Sequence, residues 1–210
     1  MTDSAETPAK RRTQASRRDE SDRRMLRAAA HLISRQGVRA TTMAEIGLEA
    51  GYSSGLPVVR YGSKLGLIHA LLESMDRWWE ATFTAATAGR RGLAALAARA
   101  EAYIGGARSI PEGAAALQAI LVEARYSLPE LQPRIATLNE HWRRGFRDDL
   151  REAQQLGEVA PDVDCEIYAE LILGAMRGMM IDRLGQDLAD LQQALPPLLC
   201  ALMRGARAST

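Results

Sequence analysis

TTMAEIGLEAGYSSGLPVVRYGSK, Thr41–Lys64, holds a helix start, a glycine turn, a second short helix and a basic end within a few residues. Thr42 followed by Glu45 is a capping box: the threonine hydroxyl accepts from the Glu45 N–H, and the carboxylate reaches back to the Thr42 N–H. A helix therefore starts there, with Ile46 and Ala50 four residues apart on one face. Gly51 supplies the positive φ that lets the chain reverse within a few residues. Ser53 or Ser54 caps the next helix, and Ser63 caps a further one that carries Leu67, Ile68, Leu71, Leu72 and Met75 inward. Gly47 and Ala50 are the small residues that let the two short helices meet closely.

Upstream, Leu26, Ala29, Ala30 and Ile33 recur at helical spacing and predict a helix from about Ser21 to Gln36. Gly37 takes the left-handed cap and Val38 packs back on the last turn. The run KRRTQASRR, Lys10–Arg18, has no apolar periodicity and reads as a mobile basic arm. Residues 1–20 are thus assigned to the arm, 21–66 to a compact helical reader, and 67–210 to a larger helical domain. A helix, a short helix, a tight glycine turn and another short helix have the layout of a helix-turn-helix DNA reader.

Charge supports this division. The chain of 210 residues has a net charge of +1, but residues 1–64 hold 12 Lys and Arg against 7 Asp and Glu, so the N-terminal part carries +5 and the remainder −4. The basic part coincides with the helix-turn-helix pattern, which is where a polyanion would dock.

From Arg24 to Leu72 the chain resembles the DNA-binding domain of the tetracycline-repressor (TetR) family of transcriptional regulators, most clearly in GVRATTMAEIGLEAGYSSGL, Gly37–Leu56, and GSKLGLIHALL, Gly62–Leu72. The resemblance implies a three-helix reader joined through a long fourth helix to a helical domain that binds small molecules and dimerises, with repression relieved by a ligand. It implies Thr41 and Thr42 beside a phosphate at the start of the second helix, Ser53 and Ser54 opening the recognition helix, and Lys64 on another phosphate. Helix N-termini and an ammonium suit those roles.

The match departs inside the recognition helix. The family commonly has a tyrosine at the position of Val58 or Val59, and histidine then phenylalanine where this chain has Arg60 and Tyr61. Arg60 is expected to contact either a phosphate or a guanine edge, and Tyr61 to keep the phenylalanine's core role with its hydroxyl turned outward. Pro57 is tolerable only in the first turn of a helix, so the recognition helix is expected to be short.

Beyond Met75 the pattern is entirely helical, and the whole chain is expected to be all-α. Gly89 precedes a helix with Leu93, Leu96, Ala100 and Tyr103; Pro111 opens one reaching about Ser127; Pro129 opens one reaching about Leu156; Pro161 opens the next. The helix near Asp162–Leu184 combines Ile167, Leu171, Ile172, Ala175, Met176 and Met179 with Gly174 and Gly178. The last, from about Asp187 to Arg204, is interrupted by Pro196 and Pro197 and rich in Leu191, Leu195, Leu198, Leu199 and Leu202. These two helices are assigned to a four-helix seam of a homodimer. Tyr103, Tyr126, Trp142, Phe146, Met176 and Met179 are the candidates for lining a site for a small, largely apolar effector, with Asn139, His141 and Arg143 available to orient its polar atoms.

Enzymatic readings find little support. His31, His69 and His141 are scattered, without metal-ligand spacing, and Asp148 and Asp149 are adjacent and so diverge on a helix. No GxSxG or phosphate-binding loop occurs, and no metal or cofactor is expected. Cys165 and Cys200 match no redox or metal spacing and suit a reducing compartment. With a polar start, MTDSAETPAK, and no long apolar run, a soluble cytoplasmic protein is expected, with no membrane association. The predicted function is a DNA-binding transcriptional regulator, a repressor acting as a dimer on double-stranded DNA with a palindromic operator. The alternative is a helical interaction protein that kept the fold and lost specific DNA binding.

Overall fold

The computed structural model describes residues 14–183, 189–204 and 206, apart from the side chains of 189–192 and 204. Among the described residues nine α-helices and one 3-10 turn follow in chain order: α1 Gln14–Ala40, α2 Met43–Glu49, α3 Leu56–Tyr61, α4 Lys64–Thr87, α5 Gly92–Ser109, α6 Pro111–Tyr126, the 3-10 turn Pro129–Leu131, α7 Gln132–Gln155, α8 Cys165–Asp182 and α9 Ala189–Arg204. No strand occurs among the described residues, so the all-α expectation holds.

The local signals around Thr41–Lys64 act as their chemistry dictates. Thr42 and Glu45 form the full capping box, with the Glu45 N–H donating to the Thr42 hydroxyl at 3.2 Å and the Thr42 N–H to the carboxylate at 2.8 Å. Gly51 has φ 78°, and the turn closes with Gly51 N–H donating to the Leu48 carbonyl at 2.9 Å and Tyr52 N–H to that of Gly47 at 2.8 Å. Ser63 caps α4 by accepting from Gly66 N–H at 3.0 Å. Pro57 lies in the first turn of a six-residue α3, where its missing N–H has no helical acceptor to lose.

Three boundaries differ from expectation. The first helix starts at Gln14, so Gln14–Glu20, assigned to the arm, are helical, while residues 1–13 lie outside the described residues. Arginines and glutamates are good helix formers and extend a helix already anchored by the buried Met25, Ala29 and Ile33, with Glu20 paired to Arg23 at 2.9 Å. Gly37 does interrupt that helix at φ 78°, as expected, and Val38 is buried behind it. Neither Ser53 nor Ser54 caps α3: its cap is Gly55, with no side-chain bond, and the Ser53 carbonyl accepts from Leu56 N–H instead. The start of α3 is thus closed by a backbone turn. Pro161 stands four residues ahead of α8, whose cap is Asp164, bonded to the N–H groups of Glu166 and Ile167 at 2.9 and 3.2 Å.

Helix α9 runs through Pro196 and Pro197 without interruption. Both prolines are exposed, where water can take the carbonyls they leave free. Leu195 is buried, and Leu198, Leu199 and Leu202 are half-buried. Asp187, Leu184 and the side chain of Leu191 lie outside the described residues.

One apolar core runs through both halves. Helix α4 contributes Leu67, Ile68, Leu71 and Leu72 among the reader helices, then Met75, Trp79 and Phe83 to the larger domain. Trp79 is the hub of the larger domain's aromatic cluster: its ring centroid lies 5.4 Å from Phe83, 5.2 Å from Tyr103 and 5.6 Å from Trp142. Such pairs contribute about 0.5–1.5 kcal/mol each beyond the area they bury.

Candidate nucleic-acid interface and internal cleft

The reader exposes Thr42, Ser53, Ser54, Gly55, Val58, Val59 and Ser63. Val58 and Val59 face outward from α3, Val59 with 84% of its surface accessible. Helix α2 is held behind α3 by close backbone approach. A Cβ on Gly47 would overlap the Ser53 carbonyl oxygen and lie 3.1 Å from Pro57 Cδ.

The other candidate DNA residues are engaged inside the chain. Thr41 is fully buried, and its hydroxyl donates to the Gly37 carbonyl at 2.8 Å. Arg60 folds back on α1, donating to the Ser21 hydroxyl at 3.0 Å and pairing with Asp22 at 3.3 Å. Tyr61 joins it, its hydroxyl donating to Asp22 at 3.3 Å, and burial followed by the Asp22 charge pushes its pKa upward. Lys64 donates to the carbonyls of Val38, Arg39 and Thr41 at 2.9, 3.2 and 2.9 Å. These carbonyls stand where α1 gives way to α2, and an ammonium with three donors satisfies them in one place. Spacing cannot reveal this, because the acceptors lie 23 to 26 residues away. Arg39, exposed just ahead of the capping box, is a cation that motif matching passed over.

Lys64→Met should therefore lower the melting temperature by about 4–8 °C, since charge-assisted bonds contribute roughly 2 kcal/mol. DNA affinity should fall without a change in its logarithmic salt slope. A slope flattened by about one unit, with stability intact, would place Lys64 on a phosphate instead.

In the larger domain, α6, α7 and α8 enclose a cleft of about 650 Å³. Leu121, Ile135 and Leu173 form apolar walls, and Gln118, Asn139, Arg125, Arg143 and Arg177 bring polar groups. Of the aromatic and methionine candidates, Tyr126 stands on this cleft, 83% exposed at its mouth. Tyr103, Trp142, Phe146 and Met176 are closed into the core behind it, and Met179 is half-buried. Trp142 borders a second hollow of about 300 Å³ with Phe83 and Arg99. Aromatics at helical spacing pack with one another before they line a void. Asn139 and Arg143 do face the cleft, whereas His141 bridges Asp76 at 3.0 Å and Glu80 at 2.9 Å.

The cleft's polar groups are incompletely satisfied. Gln118 Oε1, Asn139 Oδ1, Arg143 Nε, and Arg177 Nε and Nη2 are buried without a hydrogen-bond partner. Arg177 lies 5.5 Å over the Trp142 ring and near Tyr103. Burial, with a smaller contribution from Arg143, lowers its pKa from the ordinary value.

Two family models match the chain: "Bacterial regulatory proteins, tetR family" over residues 25–71 and "Tetracyclin repressor-like, C-terminal domain" over residues 89–196. The chain belongs to the TetR family. It is a DNA-binding transcriptional regulator and not an enzyme. No curated protein sequence matches it. Its fold is similar to that of a TetR-family regulator from Rhodococcus sp., at 21% identity and TM-score 0.75, covering 88% of this chain and 99% of the other. The fatty acid degradation regulator FadR from Bacillus halodurans gives 16% identity and TM-score 0.80, covering 95% and 100%. The ketosteroid transcriptional regulator KstR2 of Mycobacterium tuberculosis gives 22% and 0.69, covering 89% and 96%. At these identities the likeness is one of fold. No described helix is long and apolar enough to cross a membrane.

Proposed function

We propose that this TetR-family regulator is a cytoplasmic, dimeric repressor whose grip on a palindromic operator changes when a small molecule enters the α6–α7–α8 cleft. The observation that carries this is Glu123. Its carboxylate accepts from the backbone N–H groups of Val38 at 2.6 Å and Arg39 at 3.0 Å, at the end of α1 in the reader. On α6, Val122 beside it and Arg125 two residues on line the cleft. A ligand that turns or shifts α6 therefore pulls on the junction that Lys64 holds from the other side. A second tie runs from α7 to α4, where Asp76 takes Arg134 at 3.1 Å and His141 at 3.0 Å. A ligand moves the reader only to the extent that it binds the two arrangements with different affinity.

For the dimer, α8 supplies Ile167, Leu171 and Gly178, with Gly174 and Ile181 at the edge shared with the cleft, all exposed on one stripe in the single chain. A second copy covering them, together with the half-buried leucines of α9, makes the four-helix seam. It sets two α3 helices about 34 Å apart, or somewhat more, for successive major grooves. On the DNA, Thr42, Ser53 and Ser54 take phosphates, Arg39 adds a cation, and Val58 and Val59 offer apolar contact to thymine methyl groups.

The test combines DNA binding with Glu123→Gln. Wild-type protein should bind one site upstream of its own gene, resist displacement by random DNA and sediment as a dimer. Glu123→Gln keeps shape and removes charge, so the response of DNA affinity to a cleft ligand should shrink about tenfold while ligand affinity stays within a factor of two, a coupling loss of about 1.4 kcal/mol. An undiminished response would remove Glu123 from the switch. Failure to prefer any sequence would leave the interaction-protein alternative.

A further inference from the structure

The cleft is better furnished for charge than for a purely apolar molecule. It has three guanidinium groups, Arg125, Arg143 and Arg177, against one lining carboxylate, Glu170. Arg143 is neutralised on its own helix by Glu140 at 3.1 Å and stands 4.0 Å from Glu170. Arg177 has no carboxylate partner among the described residues. Its two unmet N–H groups sit on one edge of a planar donor fork, the edge that holds a carboxylate bidentately. The Trp142 face offsets part of its charge, and that edge stays buried without a hydrogen-bond partner.

Burying a cation without an anion is costly, and arginine does not escape by releasing its proton. A core position that needed only bulk would be better served by an apolar residue. The walls supplied by Leu121, Ile135 and Leu173 are apolar, so the complementary molecule has a hydrocarbon body and one charged end.

Resting on the effector-cleft reading, we infer that the effector is an amphipathic anion whose carboxylate seats on Arg177, with Arg143 alongside and its apolar body between α6 and α8. Binding would supply the acceptor that the cleft lacks. The carboxamide oxygens of Gln118 and Asn139 then accept from any hydroxyl or N–H that the molecule carries.

The test uses full-length protein and calorimetry with matched pairs: decanoate against decanamide, and 2-naphthylacetate against 2-naphthylacetamide. Each pair differs in charge at nearly constant shape. Wild-type protein should bind at least one acid about tenfold or more tighter than its amide, and Arg177→Met should reduce that ratio to about twofold. Arg177→Met without ligand should melt about 2 °C or more higher, because an uncompensated buried charge is gone. Leu173→Trp, which fills the cleft, should abolish binding of both members of a pair.

Amides that bind as tightly as acids, but still lose binding in Leu173→Trp, overturn the anion inference and leave the cleft reading standing. Binding that survives Leu173→Trp, or no binding of either class, overturns both. A lower melting temperature for Arg177→Met makes the residue a structural brace. A dimer that falls apart in that variant assigns its acceptor to the partner copy. Either result overturns the inference.

Discussion

Replacing Gly47 with valine should weaken operator binding about 100-fold while leaving the larger domain folded. The position is helical and buried, and an added Cβ meets the Ser53 carbonyl oxygen, with Ser54 Cα and Pro57 Cδ each at 3.1 Å. These obstacles are backbone or ring atoms at the turn, so no side chain can swing aside, and α3 must move away from α2. Overpacking of this kind costs about 1–3 kcal/mol, at the upper end where backbone has to give. If about 3 kcal/mol opens the pair, only about one molecule in a hundred presents α3 correctly, and apparent DNA affinity falls roughly 100-fold. The near-UV signal of Trp78, Trp79 and Trp142 should persist, because they lie in the other half of the molecule. Wild-type affinity in Gly47→Val would show that α2 and α3 are not clamped through this contact.

Asp149→Ala should strongly destabilise the larger domain. Arg99 on α5 and Asp149 on α7 form a bidentate pair, Nε to Oδ2 at 2.6 Å and Nη2 to Oδ1 at 3.1 Å, with side chains only 15% and 9% exposed. The guanidinium is also packed near the Phe83 and Phe146 rings, at 5.6 and 6.0 Å from their centroids, and Gly145 leaves it space. Removing the carboxylate strands a charge in that setting, a loss of about 3–5 kcal/mol, or roughly 6–20 °C in melting temperature. Thermal melts of Asp149→Ala and of Arg99→Met/Asp149→Leu distinguish the cause. The double variant should recover most of the loss, because an apolar pair needs no partner charge. A double variant as unstable as the single would mean that packing volume, not stranded charge, is at stake.

Asp148 and Asp149 illustrate how far local geometry reaches. Adjacent residues on a helix diverge, and that alone separates the exposed Asp148 from the buried Asp149. The partner, Arg99, lies 50 residues away on another helix, and no spacing rule finds it. Lys64 and Arg60 follow the same logic. Their place at the end of a helix-turn-helix was legible, but the carbonyls and the Asp22 carboxylate that hold them were not. Aromatics and methionines of α5, α7 and α8 were legible as apolar faces. Which of them close on one another and which border a void depends on how three helices meet.

By itself the sequence determined what arises within one turn of backbone: the Thr42–Glu45 capping box, the reversal at Gly51, the Ser63 cap, the tolerated Pro57, the helical period throughout and, with these, membership of a DNA-reading family. Such signals act over three or four residues, where covalent geometry leaves few alternatives. Tertiary structure alone decided the unmatched Arg177 in the cleft, the Glu123 clasp on α1 and the diversion of Lys64 and Arg60 inward. Each depends on a charge meeting a partner, or lacking one, across helices that packing brings together. The strength of such an interaction is set by burial, which a linear pattern does not encode.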